Sequence, residues 1–386
     1  MLGNRFAVCP LPHLRGIFLP PPLLVAPSEV TKRQPNITSL DNAFRWRSSQ
    51  WTKMSNPFDS APAVAGTGTI HLALLPPSTP RLRTLSYQYP LKLISPAPLR
   101  SQDRPHHMVH TVYLLTYGGG LVAGDAIDLS VTVEETTRLV LLTQGSTKLF
   151  KSPSHDVRSH QCMSVRLHGG AGLCYLPDPV QPFEKSSFQQ QQVYNIMRTT
   201  TSVGDDGSLC VLDWASNGRP ANGENWSFHR YASKNEIYTT GPDRSRKLLL
   251  RDSVLLDDTP FGIAGRMDGL AVHGTLILYG PLFELLGHFF MTEFKSLPRI
   301  GGRKWDSGSE SGEEADVDPA VLRRGERHRR ETAEGLLWSA ATVRDCVVIK
   351  FGAREVEHGR RWLHGMLYED GSIVREFGER ALLCLR

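Results

Sequence analysis

The sequence predicts a mainly β protein with a few α-helices near its C-terminus. Three observations carry this. From Ile127 to Glu134 the chain alternates strictly, with Ile127, Leu129, Val131 and Val133 on one face and Asp128, Ser130, Thr132 and Glu134 on the other. Such period-two alternation marks a strand with one buried and one wet side. Short apolar runs bounded by turn residues, such as Asp205-Asp206-Gly207 and Asn217-Gly218, recur from Gly66 to about Tyr279. Helical periodicity begins only after Pro281.

The chain has 386 residues, enough to bury a large core. Residues 1–53 hold seven Lys/Arg and two acids, a net of +5 that equals the net charge of the whole chain. The rest is balanced, which argues against a nucleic-acid-binding body. We expect residues 1–60 to be a disordered, basic, Pro-rich leader, with Met54 a candidate initiator. Pro20, Pro21 and Pro22 cut off its short apolar run, arguing against a secretory signal, and would break the amphipathic helix of a mitochondrial presequence. No stretch reads as a membrane span. Residues 61–386 are expected to form one domain.

Within that domain we expect strands over 69–75, one or two more over 82–93, then 110–116, 127–134, 139–143, 161–167, 193–200, 209–214, 226–232, 236–240, 247–256 and 274–279. Helices are expected over 282–294, 355–368 and 373–383. Between them, 301–334 has an acidic block (Glu310 to Asp318), a basic block (Arg323 to Arg330) and few apolar residues, and reads as a disordered surface insertion. No repeat of fixed period stands out. The six cysteines (Cys9, Cys162, Cys174, Cys210, Cys346, Cys384) show no CxxC spacing and read as reduced, mostly core residues of a cytoplasmic protein.

The loop Gly118-Gly119-Gly120-Leu121-Val122-Ala123-Gly124-Asp125 joins strand to strand. It has half of a P-loop's spacing, but Asp125 stands where a lysine must neutralise phosphate, and no helix follows. The residues fit a sharp bend in which Asp125 caps the turn. His106, His107 and His110 read as a solvated cluster. Ser154-His155-Asp156 cannot form a catalytic relay, because sequence neighbours point apart. Two turns hold carboxylates rigidly: Pro177-Asp178-Pro179 with Glu184, and Asp213 with Gly218-Arg219 to Gly223-Glu224. Such acids either cap turns and pair with Arg219 or Lys185, or line a polar passage or partner surface; the residues alone leave both open.

GGGLVAGD at 118–125, TQGSTKLFK at 143–151, YLPDPVQPFEKSSFQQ at 175–190 and DWASNGRPANGENWSF at 213–228 occur in one order. Together with the strands at Gly68 to Leu72 and Arg251-Asp252 and the late helices with Trp362, they resemble the urease accessory protein UreD family, called UreH in some bacteria. The resemblance spans roughly 66–386 apart from the insertion. It implies an irregular β-helical or stacked-sheet body and a non-enzymatic chaperone. Such a chaperone binds a UreF-type partner, through it a UreG-type GTPase, and apo-urease, to which the assembly delivers nickel. No cofactor is tightly bound; nickel is in transit. Carried over by motif, the residues of interest are Gly119, Gly120, Gly124, Asp125, Gln144, Lys148, Pro177, Asp178, Pro179, Arg219 and Gly223. Asp125, Asp178, Glu184 and Glu224 are the expected transient nickel ligands, since spaced acids hold such an ion without trapping it. Two alternatives stand beside this: a carbohydrate-active β-solenoid enzyme using Asp178 and Glu184, and a metal-free β-scaffold that binds partners only.

Overall fold

The expected alternation at 127–133 is present as a strand, Ala126–Val133, whose inward residues are all buried. In the computed structural model, residues 64–76, 78–100, 108–198, 206–243, 245–297 and 319–386 are described. Ser60–Arg386 forms one compact unit. The expected leader lies outside the described residues.

The central chain coils, and each of the first three coils lays one strand in each of three sheets. The first coil is Met108–Thr116, Gly120–Leu121 and Ala126–Val133; the second is Arg138–Leu142, Lys148–Leu149 and Ser159–Leu167. The third is Gly172–Tyr175, Gln181–Pro182 and Ser187–Met197, and a fourth lays Ser208–Ser216 and Arg230–Thr240 in two of the sheets. Stacked strands run parallel, so Val109, Arg138, Gly172 and Ser208 lie side by side in one sheet. Asp128, Cys162, Gln191 and Lys234 do so in another. This is the irregular β-helix the family resemblance implies.

Further strands extend the stack on both sides, antiparallel to their neighbours except that Thr67–Leu75 runs parallel to Ala126–Val133. Arg246–Asp257, Thr67–Leu75 and Thr79–Tyr87 complete a seven-stranded sheet, here sheet A. Val272–Tyr279, Cys346–Ala353, Leu337–Val343, Leu91–Ile94 and Leu99–Arg100 complete a nine-stranded sheet B. The short strands Gly120–Leu121, Lys148–Leu149 and Gln181–Pro182 form sheet C. There the backbones approach so closely that a Cβ on Gly120 would stand 2.2 Å from the carbonyl oxygen of Lys148. That close approach requires the glycine.

Two apolar cores result. One fills the space between sheets A and B with residues such as Ile70, Val131, Leu141, Val165 and Val211. The other lies on the outer face of sheet B, where Leu142, Leu176, Leu212 and Trp214 meet the C-terminal helices. Sheet B is thus covered on both faces, which is why its strands read as continuous apolar runs. The helices are α1 (Glu284–Ser296), α2 (Pro319–Ala333), α3 (Val356–Asp370) and α4 (Ser372–Phe377). Phe290 of α1 packs edge-on against Trp338 and Trp362, and Gly371 ends α3 in the left-handed conformation at φ 77°.

Four expectations need correction. Residues 226–232 and 236–240 are not two strands: Arg230–Thr240 is one. The alternation is obscured because Ser233 and Asn235 point inward, to Asp213. The segment 319–334 is not a disordered loop, because α2 covers most of it. Arg324 and Arg327 of α2 both pair with the buried Glu293 of α1, while Trp362 Nε1 donates to Glu331 Oε1 at 2.8 Å. The charges that read as solvated are therefore clasped. Glu293→Ala is expected to lower stability by ~1–3 kcal/mol, discounted because Arg324 is partly exposed. Hydrogen exchange should show α2 losing protection first. The expected helix at 373–383 breaks at Gly378 (φ 77°) into α4 and a 3₁₀ segment, Glu379–Leu385. Finally, His110 is not solvated: it is buried, with Nε2 3.0 Å from the Pro80 carbonyl oxygen, and burial pushes its pKa down. His106 and His107 lie outside the described residues.

Among the described cysteines, Cys174, Cys210, Cys346 and Cys384 are buried and Cys162 is exposed, all with free thiols. No described helix is long and apolar enough to cross a membrane.

Candidate functional site

The parallel strands Arg138–Leu142 and Gly172–Tyr175 end side by side, with Leu141 opposite Tyr175. Their exits therefore bring Thr143 and Asp178 together. The Thr143 hydroxyl and the Gly145 N–H donate to Asp178 Oδ2 at 3.0 and 2.9 Å, and Arg360 of α3 donates to Oδ1 at 3.0 Å. The same guanidinium donates to the Cys384 carbonyl, tying the C-terminal segment to this spot. Pro177 is held by Trp214, whose Nε1 donates to its carbonyl oxygen at 2.9 Å.

Asp178 stands between two spaces. Outside is an open surface pocket lined by Gln144, Gly145, Asp178, Arg360, Cys384 and Arg386. Inside is a cavity whose polar lining includes Thr143, Tyr175, Asp178, Gln190, Gln192 and Asp213. The room for water centres inside is about 40 Å³. At roughly 10–15 Å³ per water it holds a few molecules, not an organic substrate.

Asp213 is the second acid of this interior. It accepts from Gln190 Nε2 at 3.2 Å, Tyr231 OH at 3.3 Å and Asn235 Nδ2 at 2.6 Å, and from the Ser233 hydroxyl. Burial raises its pKa, and the charge of Asp252 adds to this, while the bonds from Ser233, Asn235 and Tyr231 oppose it. Register places Thr275 and Lys350 beside Asp213 on the same face. Lys350 Nζ reaches Thr275 Oγ1 at 3.2 Å and Asp252 at 2.6 Å, with its side chain 42% exposed. Asp178 and Asp213 thus line one cavity, Asp178 also faces the surface pocket, and Thr275 and Lys350 lie beside Asp213 across the neighbouring strands.

The raised pKa fixes a sign. In the fold Asp213 holds its proton to a higher pH than in the unfolded chain, so its contribution to stability declines as pH rises from the unfolded value, about 3.9, through the raised folded value. We expect the stability of wild type relative to Asp213→Asn to fall across that window. Urea denaturation at a series of pH values checks this, and parallel pH profiles would contradict it.

The other expected residues lie apart from this cavity. Asp125 caps its own turn, with Oδ2 accepting from the Val122 N–H at 2.9 Å, and Gly124 takes φ 90° beside it. A strand follows the loop, so it offers no helix N-terminus for phosphate. Gly119 sits in the 3₁₀ turn before it. Lys148 is exposed at sheet C. Glu184 is exposed beside Lys185 at 3.2 Å and does not line the cavity as Asp178 does. Glu224 is buried and gripped by Arg219, whose Nε lies 3.1 and 3.0 Å from the two carboxylate oxygens; this hydrogen bonding lowers the Glu224 pKa. Arg219 also stacks 3.8 Å over the Phe183 ring, and Gly223 (φ 77°) closes the turn. The two carboxylate turns are therefore docked on each other. Of the four acids expected to share one metal route, only Asp178 lines the interior.

Asp213 is one of the turn carboxylates for which the residues leave turn capping and a polar passage both open, and the fold buries it on the cavity wall. Arg360 is not among the expected residues: it lies on a helix far along the chain and carries no local signal.

The chain matches the family described as UreD urease accessory protein over residues 66–377. The chain belongs to that family. It is 30% identical over 353 residues to "Urease accessory protein 4" of Cryptococcus neoformans var. grubii, covering 83% of this chain and 95% of that protein. It is 31% identical over 292 residues to an "Uncharacterized urease accessory protein ureD-like" of Schizosaccharomyces pombe, covering 74% and 88% of the two chains. It is also similar to "Urease accessory protein D" of rice (Oryza sativa subsp. indica), at 32% over 241 residues, 62% of this chain and 73% of that one. Membership of the UreD family supports a role in urease maturation.

Proposed function

We propose that this UreD-family protein is a maturation chaperone that binds a UreF-type partner and apo-urease and helps deliver nickel to the urease active site. It performs no chemistry of its own. GTP turnover belongs to a UreG-type partner recruited through the UreF-type protein, in keeping with an Asp125 loop that cannot cradle phosphate. The reading places the protein in the cytoplasm, where free thiols persist.

The observation that carries this reading is the acid-bearing interior cavity lined by Asp178 and Asp213. A cavity with room for only a few water-sized groups suits a metal ion and excludes a sugar, which argues against the carbohydrate-enzyme alternative. Asp178 offers one oxygen to Arg360 and one to Thr143 and Gly145. An arriving divalent ion takes over the counter-charge role of Arg360, and Asp213 supplies the next carboxylate. Neither is part of a closed cage, so the ion is held weakly enough to leave.

The test is co-expression of the full chain with the host's UreF-type protein and apo-urease in cells lacking their own copy. Co-purification together with restored urease activity is the expected outcome. Urease that matures equally well without the chain would contradict the reading.

A further inference from the structure

Three side chains that play no part in the interior cavity meet at one end of sheet A. His155 precedes the strand Ser159–Leu167, His229 precedes Arg230–Thr240, and Asp258 follows the antiparallel strand Arg246–Asp257. Each offers one ligand atom, and these atoms all lie within 4.8 Å of one another. Asp258 Oδ2 is 3.1 Å from His229 Nδ1, and Oδ1 is 3.7 Å from His155 Nδ1. The imidazoles stack with centroids 3.7 Å apart and planes 29° from parallel.

From these contacts we infer that His155, His229 and Asp258 form a surface binding site for a divalent transition-metal ion. Ligands about 2.0–2.1 Å from such an ion stand roughly 3.0–3.4 Å from one another; the two Asp258 contacts, at 3.1 and 3.7 Å, are near this, and the exposed His155 ring turns out of its stack on His229 to bring both ring nitrogens onto one ion. Two imidazoles and one carboxylate, with further positions open, are a donor set for borderline ions such as nickel, copper and zinc.

A strand-end clasp would need only one histidine on Asp258. Two observations go beyond a clasp. Asp258 Oδ1 is shielded from water yet has no hydrogen-bond partner, although it faces His155. Its neighbour Asp257 already has its own cation in Arg230, at 2.9 Å, so Asp258 is left to the two rings.

The backbone holds the three in place. Ser187 Oγ donates to the His155 carbonyl at 3.1 Å, the His229 N–H to Ser186 O at 2.9 Å, and the Asp258 N–H to His229 O at 3.1 Å. The His155 side chain is 52% exposed, so an ion reaches the site from solvent and can exchange. Choosing nickel as the natural ion rests on the proposed function; the site itself does not.

The experiment is equilibrium dialysis of the full chain against nickel chloride, and separately zinc chloride, beside His155→Gln, His229→Gln and Asp258→Asn variants. Metal-free thermal melts confirm that each variant folds; His155→Gln, on an exposed ring, is the variant least able to disturb the fold. We expect wild type to bind one ion more than each variant, or the same ion at least tenfold more tightly. X-ray absorption of the nickel-loaded wild type should show two imidazoles, and of His155→Gln one. Unchanged stoichiometry and affinity across the variants would overturn the site, whatever urease does. Loss of the ion with normal nickel loading of urease would uphold the site and detach it from the delivery route.

Discussion

Arg360→Ala is expected to cost about 3 kcal/mol, because breaking a buried ion pair from one side leaves an uncompensated charge. The Arg360 and Asp178 side chains are only 15% and 10% exposed. Asp178 would keep its bonds from Thr143 and Gly145, which holds the loss to the lower end of the usual range. The C-terminal segment would also lose its anchor at the Cys384 carbonyl. Urea denaturation measures the change. Arg360→Met combined with Asp178→Asn should recover much of it, since the buried charge is then gone from both sides. A loss below about 0.5 kcal/mol for Arg360→Ala would mean that water, not the guanidinium, compensates Asp178.

Phe290→Ala is expected to be as damaging or worse, at ~3–5 kcal/mol. The ring is fully buried and packs edge-on against Phe289, Trp338 and Trp362. Its removal leaves a cavity between α1, α3 and sheet B that these rigid neighbours cannot close. Phe290→Leu keeps most of the volume and should cost ~1.5 kcal/mol or less. Thermal or urea unfolding of the two variants, compared with wild type, gives the values. Equal losses for Ala and Leu would show that ring geometry, not volume, matters here.

Where one side of a strand is wet, the sequence declares it, as at 126–133. The strands of sheet B, buried on both faces, were found as apolar runs but gave no clue to their parallel stacking. Two-residue strands such as Lys148–Leu149 span only one period of a strand's alternation, too short to show a repeat. Coils of unequal length also hide the β-helix from a search for repeats. The helix α2 escaped notice because its charges read as solvated, whereas Glu293 and Glu331 are buried partners on α1 and within α2 itself.

The site shows the same division. Asp178 was legible because prolines fix its turn and its motif recurs in a family. Asp125, Glu184 and Glu224 have the same residue type in similar turns, and only tertiary structure separates a turn cap, an exposed acid and an arginine-gripped carboxylate from an interior one. Arg360 and the His155–His229–Asp258 group depend on segments far apart in the chain, so no local spacing could announce them; Asp213 is legible as a carboxylate, but its partners Gln190, Tyr231, Ser233 and Asn235 are not.

The most direct test of the central claim is the nickel content of urease matured with Asp178→Asn, Asp213→Asn protein in place of wild type. Both substitutions keep side-chain size while removing the interior charge, and copurification with the UreF-type partner and apo-urease confirms that the assembly still forms. The expected result is an intact complex whose urease carries several-fold less nickel per active site. An intact complex that yields fully loaded urease would contradict the account and leave the protein as a scaffold whose interior acids serve the fold alone.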